Sequence, residues 1–228
     1  MSYIGRLQNL RRYGLLTRSI LLRLSRIGVA IEPYILYYQQ SLNDPVALAD
    51  LDYRVERISL DNIDYINEQL PGPDFYHTDP LKVFRDRLSS GNVGIILIHD
   101  DELAGYSWAN LRYCRHRKNI LFELNQEEAY LYDTYVGDRS RGRGFASVLH
   151  HRLMEELHRT GRRKCFSISE YFNTPARMFK RRLRAKPLET RLFLNIFYRG
   201  NLDIRLGRSS GALTKRVPLI VRKKVAGP

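Results

Sequence analysis

Cysteine is almost missing from this chain of 228 residues, which holds Cys114 and Cys165 and no other. The two make no disulfide framework and no metal or redox motif, and they suit a reducing cytosol. The six histidines show no metal spacing, so no metal is expected, and His150-His151 reads as a surface pair. Long apolar runs are absent too. Nothing approaches the ~20 residues needed to cross a bilayer, and Arg18, Arg23 and Arg26 break up the Leu-rich start, which excludes a secretory core segment. Acidic residues are scarce at both ends. Residues 1–31 hold six Arg and no acid, residues 175–228 hold 15 basic and 2 acidic residues, and residues 32–174 hold 17 basic and 22 acidic. A net charge of +14 is therefore carried by the flanks. Such blocks point to an anionic surface or partner, or to a solvated, solubilising face.

With 43% hydrophobic residues the chain buries a real core, so wholesale disorder is excluded. Near the start, Tyr13, Leu16, Ile20, Leu24 and Ile27 share one helical face, with Arg12, Arg23 and Arg26 opposite. That segment reads as an interfacial membrane helix or as a helix packed on the domain or a homodimer partner. Its Arg-rich composition also fits an organellar transit peptide.

Glu32-Pro33 is expected to end regular structure, with Tyr34, Tyr37 and Tyr38 in a connector. Residues 52–60 alternate as a strand, Asp61 caps a helix to Leu70, and Pro-Gly-Pro at 71–73 breaks the chain. A helix over 81–91 precedes a hairpin over 92–113, turning at Asp-Asp-Glu. A basic turn, 115–118, leads to the strand starting near Ala129. Residues 164–171 form a short strand and 188–200 a closing one. Beyond 201 there is no repeat and no strong element. The expected organisation is an N-terminal basic amphipathic extension (1–50), one α/β domain (51–200) and a basic C-terminal tail (201–228).

Residues 129–157 carry the most functional information: an aromatic strand, an Arg/Gly turn and an amphipathic helix. In Arg141-Gly142-Arg143-Gly144-Phe145-Ala146 two glycines let the backbone approach a ligand closely. The following helix leaves its first N–H groups unpaired at its positive end, an anion site suited to a pyrophosphate. Ala146, Leu149, Leu153 and Leu157 form the helix's apolar stripe, and Gly161 stops it.

This turn resembles the coenzyme A motif of the GNAT superfamily of N-acetyltransferases, Gln/Arg-x-x-Gly-x-Gly/Ala, filled by Arg141, Gly144 and Ala146. An overlapping register begins at Arg139, with Gly142 and Gly144; the distance from Val136 favours Arg141. Asn173-Thr174-Pro175-Ala176-Arg177-Met178-Phe179 resembles the superfamily's second motif, Asn-x-x-Ala-x-x-aromatic. The Gly105-Tyr106 pair ends a hairpin like the superfamily's own. Together these features span roughly residues 55–197. The resemblance implies a mixed central sheet flanked by helices, and acetyl-CoA or another acyl-CoA as co-substrate. It implies that Tyr135, Val136, residues 141–146, Asn173 and Phe179 line the cofactor site.

Acyl transfer to an amine needs a proton acceptor, stabilisation of the developing oxyanion and departure of a thiolate. The resemblance implies that backbone N–H groups at a bulge in the cofactor strand hold the thioester. Residues 130–136 look most like the Tyr-Leu-Glu-Asp strand of polyamine acetyltransferases, whose general-base Glu falls on Tyr132 and neighbouring Asp on Asp133. Candidate proton acceptors rank Asp133, then Glu170, then Glu128. Where many members carry a Tyr that protonates the thiolate, this chain has Lys180, and the usual Gly at that helix end is Arg184.

Three functions stay open from sequence. The leading one is transfer of acetyl to a small primary amine, such as an amino-sugar, in the cytoplasm, with peripheral contact at the inner membrane surface. The others are a long-chain acyltransferase fed by an acidic carrier protein, and an acyl-CoA-binding regulatory protein without turnover. The basic tail shows none of the standard nucleic-acid signatures, so nucleic acid is not an expected partner.

Overall fold

The computed structural model describes residues 15–40, 52–70, 79–117, 119–197, 200–208 and 218–224. Arg12, Tyr13, the 71–73 break, Lys118 of the basic turn and much of the 201–228 tail lie outside them. The chain folds as two compact units, neither of them continuous. One joins residues 1–39, 113–123 and 166–228; the other joins 40–112 and 124–165.

The second unit holds an antiparallel sheet in the order β2 (Tyr53–Arg57), β3 (Val93–His99), β4 (Glu102–Asn110), β7 (Glu128–Val136). On one face, Val93, Ile95 and Leu97 pack with Phe145, Leu149, Leu153 and Leu157 of helix α4 (Phe145–Arg159). On the other, Ile96, Ile98, Tyr106 and Trp108 pack with Ile63 and Ile66 of α2 (Ile63–Gln69) and Phe84 of α3 (Pro80–Ser89). Helices on both faces explain why β3 is apolar from Val93 to Ile98 instead of alternating. The 92–113 hairpin forms as expected, with Asp100 and Asp101 both at positive φ (53° and 57°), the backbone of a tight two-residue turn. Asn62, not Asp61, stands at the start of α2. Its side chain is used backwards, accepting from Ser59 N–H and donating to the Arg57 carbonyl.

The first unit departs further from expectation. The connector expected at 33–38 is the interior of β1 (Val29–Gln39), which pairs antiparallel with β9 (Lys186–Ile196) and has β8 (Lys164–Glu170) on its other side. Pro33 is a usual sign of strand termination, but here its carbonyl accepts the Tyr171 N–H at 2.8 Å, and Tyr34 to Tyr37 are buried. The C-terminal segment also supplies strands: β10 (Gly200–Arg208) pairs with β9, and β11 (Ile220–Lys224) with β10. The basic turn is a hairpin, β5 (Tyr113–His116) and β6 (Asn119–Glu123). Helix α1 (Leu15–Arg26) covers the described part of the amphipathic stretch.

Strand registers bring a polar network into this unit's core. Arg191, fully buried, donates to Asp203 (2.7 Å), Glu189 (2.9 Å) and the Pro218 carbonyl (3.0 Å), and the Tyr34 hydroxyl donates to Asp203 at 2.7 Å. Each buried charge has an opposite partner, without which burial costs several kcal/mol or more. Desolvation and then the Asp203 charge keep the Tyr34 hydroxyl protonated. His116 stacks on Tyr34 at 4.0 Å and meets Phe193 edge-on.

Burial first, then the Arg117 and Arg191 charges, push the His116 pKa down to about 3. Between its ordinary value and about 3 the unfolded chain takes a proton that the folded one refuses, so stability falls as pH falls through that window. The contribution over the whole window is up to roughly 5 kcal/mol. Denaturant unfolding from pH 7 to pH 4 should therefore lose less stability in His116→Phe than in the natural chain; equal losses would show that another group sets the acid limb.

Candidate active site

The second unit assembles most of the residues singled out from sequence. In β7, Tyr135 pairs with Tyr106 and Tyr132 with Trp108, so Asp133 and Thr134 together face Ser107: a β-bulge. Asp133 takes a left-handed conformation (φ 49°), which Asp tolerates better than most residues. Two contacts hold it there. Arg87, from the last turn of α3, meets Asp133 Oδ2 at 2.5 Å, as an ion pair without hydrogen-bond alignment. Ser107 and Thr134 share a hydroxyl hydrogen bond of 2.8 Å. The Arg87 guanidinium is caged by the rings of Phe84 (5.5 Å), Trp108 (5.2 Å) and Tyr132 (5.1 Å). Asn92 Nδ2 donates to the Tyr132 hydroxyl at 3.1 Å.

At such a bulge backbone N–H groups leave the ladder and are available to a carbonyl oxygen. Next to it, the Tyr106 hydroxyl and Trp108 Nε1 are fully buried with no hydrogen-bond partner among the described residues. Tyr135 stacks on Tyr106 at 5.3 Å. Desolvation raises its hydroxyl pKa, the Asp138 charge adds to this and Arg141 opposes it. Gly105 makes this strand end possible: a Cβ there would stand 2.4 Å from the Tyr135 carbonyl.

Beyond Val136 the chain makes a single 3-10 turn, Asp138–Ser140, and enters the Arg/Gly loop. Arg141 is pinned by Asp138 (2.8 Å) and the Val136 carbonyl (3.3 Å), and Arg143 by His99 Nε2 (2.9 Å). Gly142 and Gly144 both have positive φ (82° and 85°), which explains the two glycines. Phe145, buried, anchors the helix start against Tyr53 and His99. Outside the bond that closes the 3-10 turn, the first bonds run from Ser147 and Val148 to the Gly144 carbonyl. The N–H groups of residues 142–146 are thus left at the positive end of α4, a cradle for an anion. Ala146 is half-buried, while Val148 and Met154 join the buried stripe; His150, expected at the surface, is buried.

The remaining residues lie elsewhere. In the first unit, the Glu170 carbonyl accepts the Asn173 N–H, and Asn173 caps α5 (Thr174–Arg182) by accepting from Ala176 N–H at 3.2 Å. Phe179 and Lys180 sit on that helix, the Lys180 ammonium 6.0 Å from the Phe179 ring. Asn173→Ala should cost about 1 kcal/mol of stability through the lost cap; an unchanged thermal midpoint would refute the capping role. Glu128 is buried in the second unit, closing the turn before β7 through Asn125 N–H (3.0 Å). A cleft of about 320 Å³ lined by Tyr53, Arg57, Glu155 and Glu156 contains none of the bulge or loop residues. Its walls carry the exposed Arg57–Glu156 ion pair.

A family model described as the acetyltransferase (GNAT) family matches residues 60–183. The chain belongs to the GNAT acetyltransferase family. The match takes in the whole second-unit site and α5. No curated protein matches the sequence. Among solved structures, a tandem GNAT protein from the clavulanic acid biosynthesis pathway, determined without acetyl-CoA, is similar with a TM-score of 0.52 at 15% identity. The similarity covers 79% of this chain and 55% of that one. A Drosophila protein gives 0.52 at 12% identity over 81% and 58%, and a functionally unknown conserved protein from Staphylococcus epidermidis 0.50 at 11% over 78% and 66%. At these identities the likeness is one of fold: the mixed α/β GNAT fold, mostly antiparallel, with flanking helices. This GNAT chain spans between 55% and 66% of the length of those structures.

Arg87 and His99 were not singled out from sequence. Each looks like an ordinary polar residue in its own element, and only the pairing of α3 and β3 with later segments gives them a role.

Proposed function

We propose that this GNAT chain is an acyl-CoA-dependent N-acyltransferase that moves acetyl from acetyl-CoA to a primary amine of a small molecule by direct attack. One observation carries the reading. A single strand, β7, bears the bulge at Asp133–Thr134 and leads directly into the cradle of N–H groups at 142–146. That cradle suits the pyrophosphate, with the glycines clearing space for it, and the bulge suits the thioester carbonyl.

The amine nitrogen attacks the thioester carbon, the bulge N–H groups take up the developing charge on its oxygen, and the carbon–sulfur bond breaks to release the thiolate. Asp133 accepts the proton lost by the amine, directly or through a water, while Arg87 holds its carboxylate in place. Tyr132 and Tyr135 wall the reacting end. The two buried cysteines, which form no disulfide, support a cytoplasmic location.

Native mass spectrometry of protein purified from its own host tests this. A bound mass of acetyl-CoA, exchangeable with added CoA, is the expected result. A C14–C18 thioester would reassign the acyl donor, and failure to bind any CoA species after addition would remove the reading.

A further inference from the structure

The first unit differs from the second in what it exposes. Of the eleven large hydrophobic side chains exposed among the described residues, only Leu60 belongs to the second unit. Described residues of the first unit include 17 Lys and Arg against 5 Asp and Glu, whereas the second has 14 against 16. Glu189 and Asp203 are engaged inside the core by Arg191, and Glu32 by Arg117. The unit is therefore cationic in composition, and part of its exposed surface is apolar.

Both properties meet at one end of its sheet. Ile27, between α1 and β1, is 68% exposed, and Ile196 and Phe197 at the end of β9 are 55% and 63% exposed. These residues are neighbours, because Phe197 N–H donates to the Gly28 carbonyl and Val29 pairs with Ile196. Arg23 and Arg26, in the last turn of α1, are exposed beside them. The backbone of Arg222 to Lys224 lies at the same end, paired with residues 200–202. Phe197 is also held at φ 50°, a costly conformation for a bulky residue, yet it projects into solvent instead of packing inward.

We propose that this end of the first unit is a docking surface for an anionic bilayer, with Phe197, Ile196 and Ile27 entering the headgroup–acyl boundary and Arg23 and Arg26 meeting lipid phosphates. Cations flanking a small aliphatic and aromatic wedge match the chemistry of that interface. Nucleic acid would satisfy the charges and leave the isoleucines in water. A two-fold self-contact would bring the arginines toward their own copies, against like charge. No described helix is long and apolar enough to cross a membrane, so the contact is peripheral. The inference is independent of the acyltransferase reading.

Co-sedimentation of the full chain with vesicles tests it, comparing phosphatidylglycerol–phosphatidylcholine mixtures with phosphatidylcholine alone. Binding should need the anionic lipid and weaken as salt rises. Phe197→Gly removes the wedge and suits the positive φ, so it should leave the thermal midpoint unchanged or higher while weakening partition about tenfold. Arg23→Glu with Arg26→Glu should weaken it by about tenfold or more at low salt. Equal binding to both vesicle types, no binding at low salt, or an unaffected Phe197→Gly would overturn the proposal. So would lipid-free self-association that Phe197→Gly abolishes, which would assign the patch to a second copy of the chain.

Discussion

Gly144→Glu should weaken CoA binding by about a hundredfold or more, while the protein stays folded. Gly144 sits at φ 85° at the start of α4 and carries no side-chain cap, so the N–H groups around it face outward. A glutamate there places a Cβ and a negative charge where a pyrophosphate would lie. The left-handed backbone itself costs roughly 1–2 kcal/mol for a non-glycine residue, which lowers the melting temperature of a chain of this size by only a few degrees. Loss of binding beyond that strain is electrostatic and steric. Gly144→Ala separates the two, since it adds the strain without the charge; about tenfold weaker binding is expected for it. Unchanged affinity of Gly144→Glu for CoA in calorimetry would remove the cradle from the site.

Asp133→Asn should lower kcat by about a hundredfold, with KM for acetyl-CoA little changed. Asparagine also tolerates the left-handed conformation, so the bulge should persist. What disappears is the proton acceptor, and Arg87 loses its counter-charge. Arg87→Met makes the reciprocal change: the carboxylate remains but its clamp is gone. Arg87 is 15% exposed and Asp133 27%, so breaking this partly solvated pair should cost less stability than a fully buried one, roughly 1–2 kcal/mol. If the pair positions the bulge, Arg87→Met raises KM for acetyl-CoA. An effect of Asp133→Asn below about threefold would shift proton acceptance to Glu170, Glu128 or bulk water.

The second unit was legible because its signals are local. The glycines at 142 and 144, the apolar run of β3 and the Asp100-Asp101 turn each dictate backbone shape within a few residues. The bulge could be expected only from the family resemblance. Its cause in this chain, Arg87 reaching across from α3, is a contact between segments far apart in sequence, and no local pattern encodes it. The first unit was harder to read. Pro33 and the tyrosines of β1 look like a connector, and become a strand only because β8 and β9 flank them. Likewise, Arg191, Glu189 and Asp203 read as solvated charges until the β9–β10 register buries them together. His150 misled for the same reason: a polar residue on a helix is placed by what the helix packs against, which its own sequence does not state.

Amide hydrogen exchange of the full chain with and without acetyl-CoA tests whether the bulge and the cradle hold the co-substrate. Exchange should slow at residues 133–136 and 142–147, with β2 and the cleft beside Arg57 and Glu156 unchanged. Protection confined to that cleft, or none at either segment under saturating acetyl-CoA, would contradict that role.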